Sequence, residues 1–268
     1  MPTWKLEIEY DGTRYRGWQI QHNEKTVQSE LQVAAYQLFE GRVEIGAACR
    51  TDAGVHALSQ IAHLKVSDLK TNVTPRQIQQ GFNERLPHDI NIVKIQNAAE
   101  NFDACRDALS HYYLYQISTR RTAFAKNYVW WVKDNLDARA MQEAAKMIVG
   151  RHNFRSFCEV ENERDSTIIT VEKAEVFSDR DLIWFRIGAN RFLWKMVRRI
   201  VGMLAEVGKG NLSYDGFQRL LKFSSNAPTQ FTAPPSGLFL EKILYKGDAP
   251  PKNYLGASLM PIQSDEGH

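Results

Sequence analysis

The chain has 268 residues, 43% of them hydrophobic and 24% charged. That is enough apolar material for one large domain or two of ordinary size, and too much for a disordered chain. Thirty-four basic against 31 acidic residues leave a net charge of +3, which by itself barely hints at a polyanion-binding protein.

The first alternating stretch, residues 4–10, puts Trp4, Leu6, Ile8 and Tyr10 on one strand face and stops at Asp11-Gly12. Helical spacing over 26–40 gathers Val27, Leu31, Ala34, Ala35 and Leu38 on one side, with Gly41 expected to close the helix. Strand-like segments at 42–49 and 59–66 flank a loop. Thr74-Pro75 opens a second helix running to about residue 85, and 90–95 forms another strand. This strand-helix-strand-strand-helix-strand order is the ferredoxin-like pattern.

The same order returns without sequence repetition. Strands are expected at 110–118, 167–177, 182–189 and 237–245, with the middle pair joined by a turn at Ser178-Asp179. Helices are expected at 137–149, ended by Gly150, and at 192–207, ended by Gly208, with a short one after Ser213. The fold class is therefore α+β. Residues 1–105 and 106–246 form two ferredoxin-like (RRM-like) halves whose antiparallel or mixed sheets join around a central cleft, with helices on the outer face. Residues 247–268, rich in Gly, Pro and charge, read as a loosely held tail. No apolar run reaches the length of a bilayer span, and Met1–Glu7 lacks the apolar core of a signal peptide. A cytoplasmic protein with no membrane association is expected. The three cysteines (Cys49, Cys105, Cys158) form no Cys-x-x-Cys, and the seven histidines no His-x-x-x-His, so neither disulfides, a metal nor another cofactor is expected.

Residues 48–57, Ala-Cys-Arg-Thr-Asp-Ala-Gly-Val-His-Ala, carry the densest chemistry. Asp52 and Gly54 disfavour a strand interior, so the segment should be a tight loop from which an acid beside an arginine projects into a cleft. An Asx-turn or helix N-cap is the alternative use of such an aspartate. Over 192–207, helical spacing places Lys195, Arg199 and Glu206 on one polar stripe with Arg198 at its shoulder. There Arg198 either meets a carboxylate or reaches for solvent. In His111-Tyr112-Tyr113-Leu114-Tyr115, alternation sends Tyr113 and Tyr115 to one sheet face and Tyr112 and Leu114 to the other. Basic residues interleave with aromatics at Arg14, Tyr15, Arg16 and Trp18, and again at Phe192, Trp194, Lys195, Arg198 and Arg199. Such surfaces can pair phosphate contacts with base stacking.

Arg50 to Ala57 resembles the Arg-Thr-Asp-Ala-Gly-Val-His-Ala signature of the tRNA pseudouridine synthase A family, and the likeness extends over residues 4 to 245. The resemblance implies that Asp52 is catalytic. Phe192–Gly202 is similar to the family's Phe-Leu-x-x-Met-Val-Arg-x-Ile-Val-Gly, whose arginine pairs with that aspartate, which implies Arg198. The family's basic-Thr-Tyr-Arg-Tyr motif implies Tyr113 as the tyrosine stacked on the target base, although Tyr112 leaves the register open by one. RNA-facing roles are implied for Arg50, Thr51, His56, Arg14, Arg16, Trp18, Gln19, Lys195 and Arg199. Cys49 and Asn153 stand where the family usually has Gly and Asp. The resemblance further implies a homodimer that acts, without cofactor, on tRNA uridines at the 3′ side of the anticodon stem-loop. Two other readings share these features: a synthase acting on another RNA such as rRNA, and a non-catalytic RNA-binding protein with paired RRM-like halves.

Overall fold

The computed structural model describes residues 1–67, 69, 73–159 and 166–252. Its first half runs β1 (Thr3–Tyr10), α1 (Val27–Leu38), β2 (Val43–Ala47), β3 (His56–Val66), α2 (Pro75–Asn83) and β4 (Ile90–Asn97). The second runs β5 (Ser110–Ser118), β6 (Trp130–Trp131), α3 (Ala138–Lys146), β7 (Gly150–Asn153), β8 (Ile168–Asp179) and β9 (Leu182–Ala189). It continues with α4 (Met196–Gly208), α5 (Tyr214–Lys222), α6 (Ala227–Gln230) and β10 (Leu238–Leu244). Hydrogen bonding orders the strands β4-β1-β3-β2 in the first half and β10-β5-β9-β8 in the second, the same ferredoxin-like arrangement twice. Right-handed crossovers put the two helices of each half on one face, where α1 meets α2 and α3 meets α4.

The halves fuse into one ten-stranded, mostly antiparallel sheet. The join is a parallel pairing of two residues, Phe239 with His56 and Leu240 with Ala57. One edge of β3 is occupied along its whole length by β1. Its other edge is divided: residues 62–66 pair with β2, and 56–57 pair with β10. Strands β2 and β10 therefore part company beside β3, and the chain between 48 and 55 crosses the fork. A single buried apolar cluster, including Ile8 and Leu64 from one half and Phe157 and Leu240 from the other, underlies both sides.

Local sequence signals explain most boundaries. Thr26 and Thr74 each form a capping box, and Pro75 sits at the first helical position of α2. Several expectations shift. Helix α1 stops at Phe39, which turns extended before Gly41 is reached. Helix α3 ends at Met147, and Gly150, with φ of 107°, instead starts the unexpected strand β7 against β8. The β8–β9 turn falls on Arg180-Asp181, where Arg180 takes a φ of 50°. Helix α4 begins at Met196 and not at Phe192, because Lys195 adopts a left-handed φ of 61°. The expected tail from 247 lies largely at 253–268, outside the described residues.

The two-residue seam depends on its packing. Phe239 is 2% exposed, and its ring stacks on His56 with centroids 4.7 Å apart. Phe239→Ala is expected to lower unfolding free energy by about 3–5 kcal/mol, as read from urea denaturation monitored by tryptophan fluorescence.

Candidate active site

The Asp52 loop is built before its aspartate is placed. Ala48 continues from β2 by donating its N–H to the Ile61 carbonyl, 2.8 Å away. The loop is then gripped by the turn after β1. Trp18 N–H donates to the Thr51 carbonyl at 3.1 Å, and Gly54 N–H donates to the Tyr15 carbonyl at 3.2 Å. This close approach needs Gly17, whose φ is 94° and whose missing Cβ would lie 2.5 Å from the Thr51 oxygen. The Thr51 hydroxyl is held by the Tyr10 hydroxyl at 2.7 Å. Much of the stretch from Tyr10 to Trp18 is thus committed to the shape of the loop.

Asp52 projects from this loop into a cleft of about 1500 Å³ that opens between β2, β5 and the chain entering α4. Its Oδ2 lies 3.5 Å from Nη1 of Arg198, with the two side chains 26% and 15% exposed. Burial raises the Asp52 pKa, and this outweighs the lowering by the Arg198 charge and hydrogen bond, by Lys195 and by a hydrogen bond from Trp194. The carboxyl is therefore less acidic than an ordinary aspartate, although a cation faces it. Arg198 also donates from Nε to the Ala233 carbonyl at 2.7 Å, which fixes the plane of its guanidinium.

Tyr113 and Tyr112 separate cleanly. Tyr113 lines the cleft, its ring edge-on to Phe192 at 5.0 Å and its hydroxyl 3.7 Å from the Cys49 sulfur. Burial pushes its ionisation well above the usual range, so it stays protonated. Tyr112 points to the opposite face, where its hydroxyl donates to Glu172 at 3.3 Å. Cys49, the replacement for the usual glycine, is a free thiol pushed up to about 12 by burial, and so not a nucleophile at neutral pH.

The other singled-out residues divide into two groups. Arg16, Gln19, Arg50 and Lys195 line the cleft with some exposure. Arg16 pairs with Glu24 at 3.3 Å and Lys195 with Glu159 at 2.5 Å. Arg50 is exposed and makes no ion pair among the described residues. Arg14 is exposed on the short 3₁₀ turn Gly12–Arg14, outside the cleft. The second group is buried. Trp18 is 1% exposed and packs on Tyr10, and Thr51 is 6% exposed. His56 lies beneath the seam, accepting from Gly12 N–H through Nδ1 and facing the Asn127 carbonyl through Nε2, each at 3.0 Å. Arg199 packs away from the cleft, bonded to the Cys158 carbonyl and 3.5 Å from Glu159. Sequence periodicity missed Glu159, Ala233 and Gln60. Gln60 donates to the Cys49 carbonyl at 3.0 Å. Their partners are 11 or more residues away, so no local spacing marks them. Among the described residues no cluster of metal-ligating side chains occurs, and none of the helices is long and apolar enough to cross a membrane.

A family model described as tRNA pseudouridine synthase matches residues 7–106 and 144–246. Proteins named tRNA pseudouridine synthase A are similar along nearly their whole lengths. The one from Rhodopseudomonas palustris is 38% identical over 249 residues, covering 92% of this chain and 100% of its own. That from Agrobacterium fabrum is 36% identical over 257 residues, covering 94% and 96%. That from Brachyspira hyodysenteriae is 36% identical over 247 residues, covering 91% and 98%. The chain belongs to the tRNA pseudouridine synthase family.

Proposed function

We propose that this protein converts uridine to pseudouridine in tRNA, at positions on the 3′ side of the anticodon stem-loop, with Asp52 as its catalytic carboxylate. The observation that carries the assignment is the half-buried Asp52 facing Arg198 across a cleft walled by Tyr113. In the overall reaction the N1–C1′ bond breaks, the uracil turns, a C5–C1′ bond forms, N1 gains a proton and C5 loses one. No oxidant, hydrolysis or energy source is required. The target base must leave its stack, at a cost of roughly a few kcal/mol.

The chain's residues divide that work. Asp52, ionised, acts at the ribose–base bond. Arg198 orients it and favours its charged form. Tyr113, neutral and edge-packed on Phe192, offers a flat face to the extruded uracil, and such stacking is worth about 1–3 kcal/mol. Arg50, exposed on the rim and free of ion pairs among the described residues, supports a phosphate contact or a side chain that fills the vacated stack. Arg16, Gln19 and Lys195 extend the polar wall along which the strand would run. Residues 1–105 and 106–246 would act as the two lobes of one binding crevice. A cytoplasmic homodimer completes the proposal, one protomer holding the tRNA body while its partner carries out the reaction. Light scattering should then return twice the monomer mass.

The assignment is open to direct tests. Asp52→Asn is expected to abolish tritium release from tRNA labelled at uridine C5, while tRNA affinity stays within about twofold. Full turnover by that variant would remove Asp52 from the chemistry. A folded-state pKa raised above the unfolded value contributes stability only below the unfolded pKa, and this is lost as pH rises through the folded value. Ionised Asp52 therefore costs stability at neutral pH, and Asp52→Asn should melt no lower than the parent protein. In single-turnover assays the parent rate should fall with decreasing pH through a pKa above the usual aspartate range. Arg198→Met removes a charge that lowers this pKa, so its acid limb should move to still higher pH; a limb that stays put would separate Arg198 from the ionisation of Asp52. Finally, mapping pseudouridine in the tRNA and rRNA of a deletion strain identifies the RNA. Loss confined to rRNA would overturn the tRNA assignment.

A further inference from the structure

The segment between α6 and β10, residues 231–237, touches Arg198, α4 and the Asp52 loop without lining the cleft. Its Ala233 carbonyl takes the Nε–H of Arg198 at 2.7 Å, and its Ala233 N–H returns a bond to the Arg198 carbonyl at 3.1 Å. The next residue, Pro234, has its carbonyl held by the hydroxyl of Tyr115 at 2.8 Å. Pro235 packs against the Asp52 loop, where a Cβ on Gly54 would come within 3.0 Å of its ring. Ser236 donates to the Val129 carbonyl at 3.2 Å. On the helix side, a Cβ on Gly202 would collide with the Phe231 carbonyl oxygen, so the strap lies directly on the backbone of α4.

We propose that Tyr115 and the 231–237 strap are positioning residues for the reaction, holding the Arg198 guanidinium at its working distance from Asp52. This rests on the function proposed above. The reason is geometric. A guanidinium is a rigid planar fork, so anchoring its Nε–H to one carbonyl dictates where its Nη groups point. Arg198 has one bond to the strap at 2.7 Å and one to Asp52 at 3.5 Å. The short bond determines the plane, and the long one leaves the carboxylate oxygens available to a substrate. The Ala233 carbonyl is in turn only as fixed as its chain, and neither Ala233 nor Pro234 brings a polar side chain to fix it. Tyr115 supplies the fixing contact. It is fully buried, on the same face of β5 as the cleft residue Tyr113 two positions earlier. Its hydroxyl makes no contact with the cleft and has the Pro234 carbonyl as its hydrogen-bond partner. Charged groups facing Asp52 are Arg198 and Lys195, and the strap adds none, so any change it causes in Asp52 must pass through the placement of Arg198.

Tyr115→Phe removes one oxygen and preserves the ring. In single-turnover assays with tRNA, the rate at saturating enzyme is expected to fall by about 10- to 100-fold, with tRNA affinity within about twofold of the parent. The acid limb of the pH–rate profile should move to higher pH, as for loss of the Arg198 contact. In an Arg198→Lys background, which lacks the Nε donor, Tyr115→Phe should add nothing. An unchanged rate and limb, a loss confined to tRNA affinity, or losses that multiply in the double variant would each overturn the proposal. Should Tyr115→Phe fail to fold, Ser236→Ala cuts another side-chain tie of the strap and reads the same rate and pH limb, with an effect of about two- to fivefold expected and no effect overturning it. A parent protein without isomerase activity would instead sink the functional assignment itself.

Discussion

Everything at the site stems from one strand serving two neighbours along one edge. Because β3 gives residues 62–66 to β2 and 56–57 to β10, the backbone that connects β2 to β3 cannot lie in the sheet plane and must cross the fork. That crossing segment carries Asp52. The strands that diverge supply the walls, β2 on one side and β5, held by β10, on the other. The cleft is thus a product of topology, and the side chains that line it are accommodated by a gap that hydrogen bonding has already made. An unpaired strand edge normally needs protection from stray pairing, and here the loop itself occupies the exposed stretch.

Into that gap the chain places a carboxyl whose environment works in opposite directions. Burial disfavours its charge, while Arg198 and Lys195 favour it, and burial prevails. A fully solvated aspartate beside an arginine would be a weak base and a weak nucleophile. A desolvated one with its cation 3.5 Å away keeps more reactivity while remaining oriented. The surrounding tyrosines stay neutral, since burial keeps Tyr113 and Tyr10 protonated. Cys49 is silenced in the same way. Among Tyr10, Cys49, Tyr113 and Asp52, burial therefore leaves the aspartate as the acid most easily ionised.

How much of this was legible beforehand depends on the range of the interaction. Strand alternation and capping threonines act within a few residues, and they gave both ferredoxin-like halves and nearly all element positions. Gly150 and Lys195 escaped because their left-handed backbone is set by tertiary surroundings, the pairing of β7 with β8 and the turn that carries Trp194 toward the cleft. The Asp52–Arg198 encounter spans 146 residues of sequence, and only likeness to a known motif suggested it. Basic-aromatic interleaving does not say which side chains stay open to a ligand: Trp18 and Arg199 look like RNA contacts in sequence, and here Trp18 packs tilted on Tyr10 while Arg199 is buried against Cys158 and Glu159. Aromatic and long basic side chains have large apolar surfaces, and interleaving alone does not say which of them the core will claim.

The parallel seam at Phe239 and Leu240 has one more implication. Two lobes joined by a linker can shut on a ligand like a jaw, but lobes that meet in a two-residue backbone pairing above one shared buried core resist bending across it. Such a scaffold acts as a stiff mould. The shape change that recognition demands then falls on the nucleic acid, so the RNAs most readily accepted are those whose loops unstack with least effort, and pliability of the guest becomes part of what the host selects.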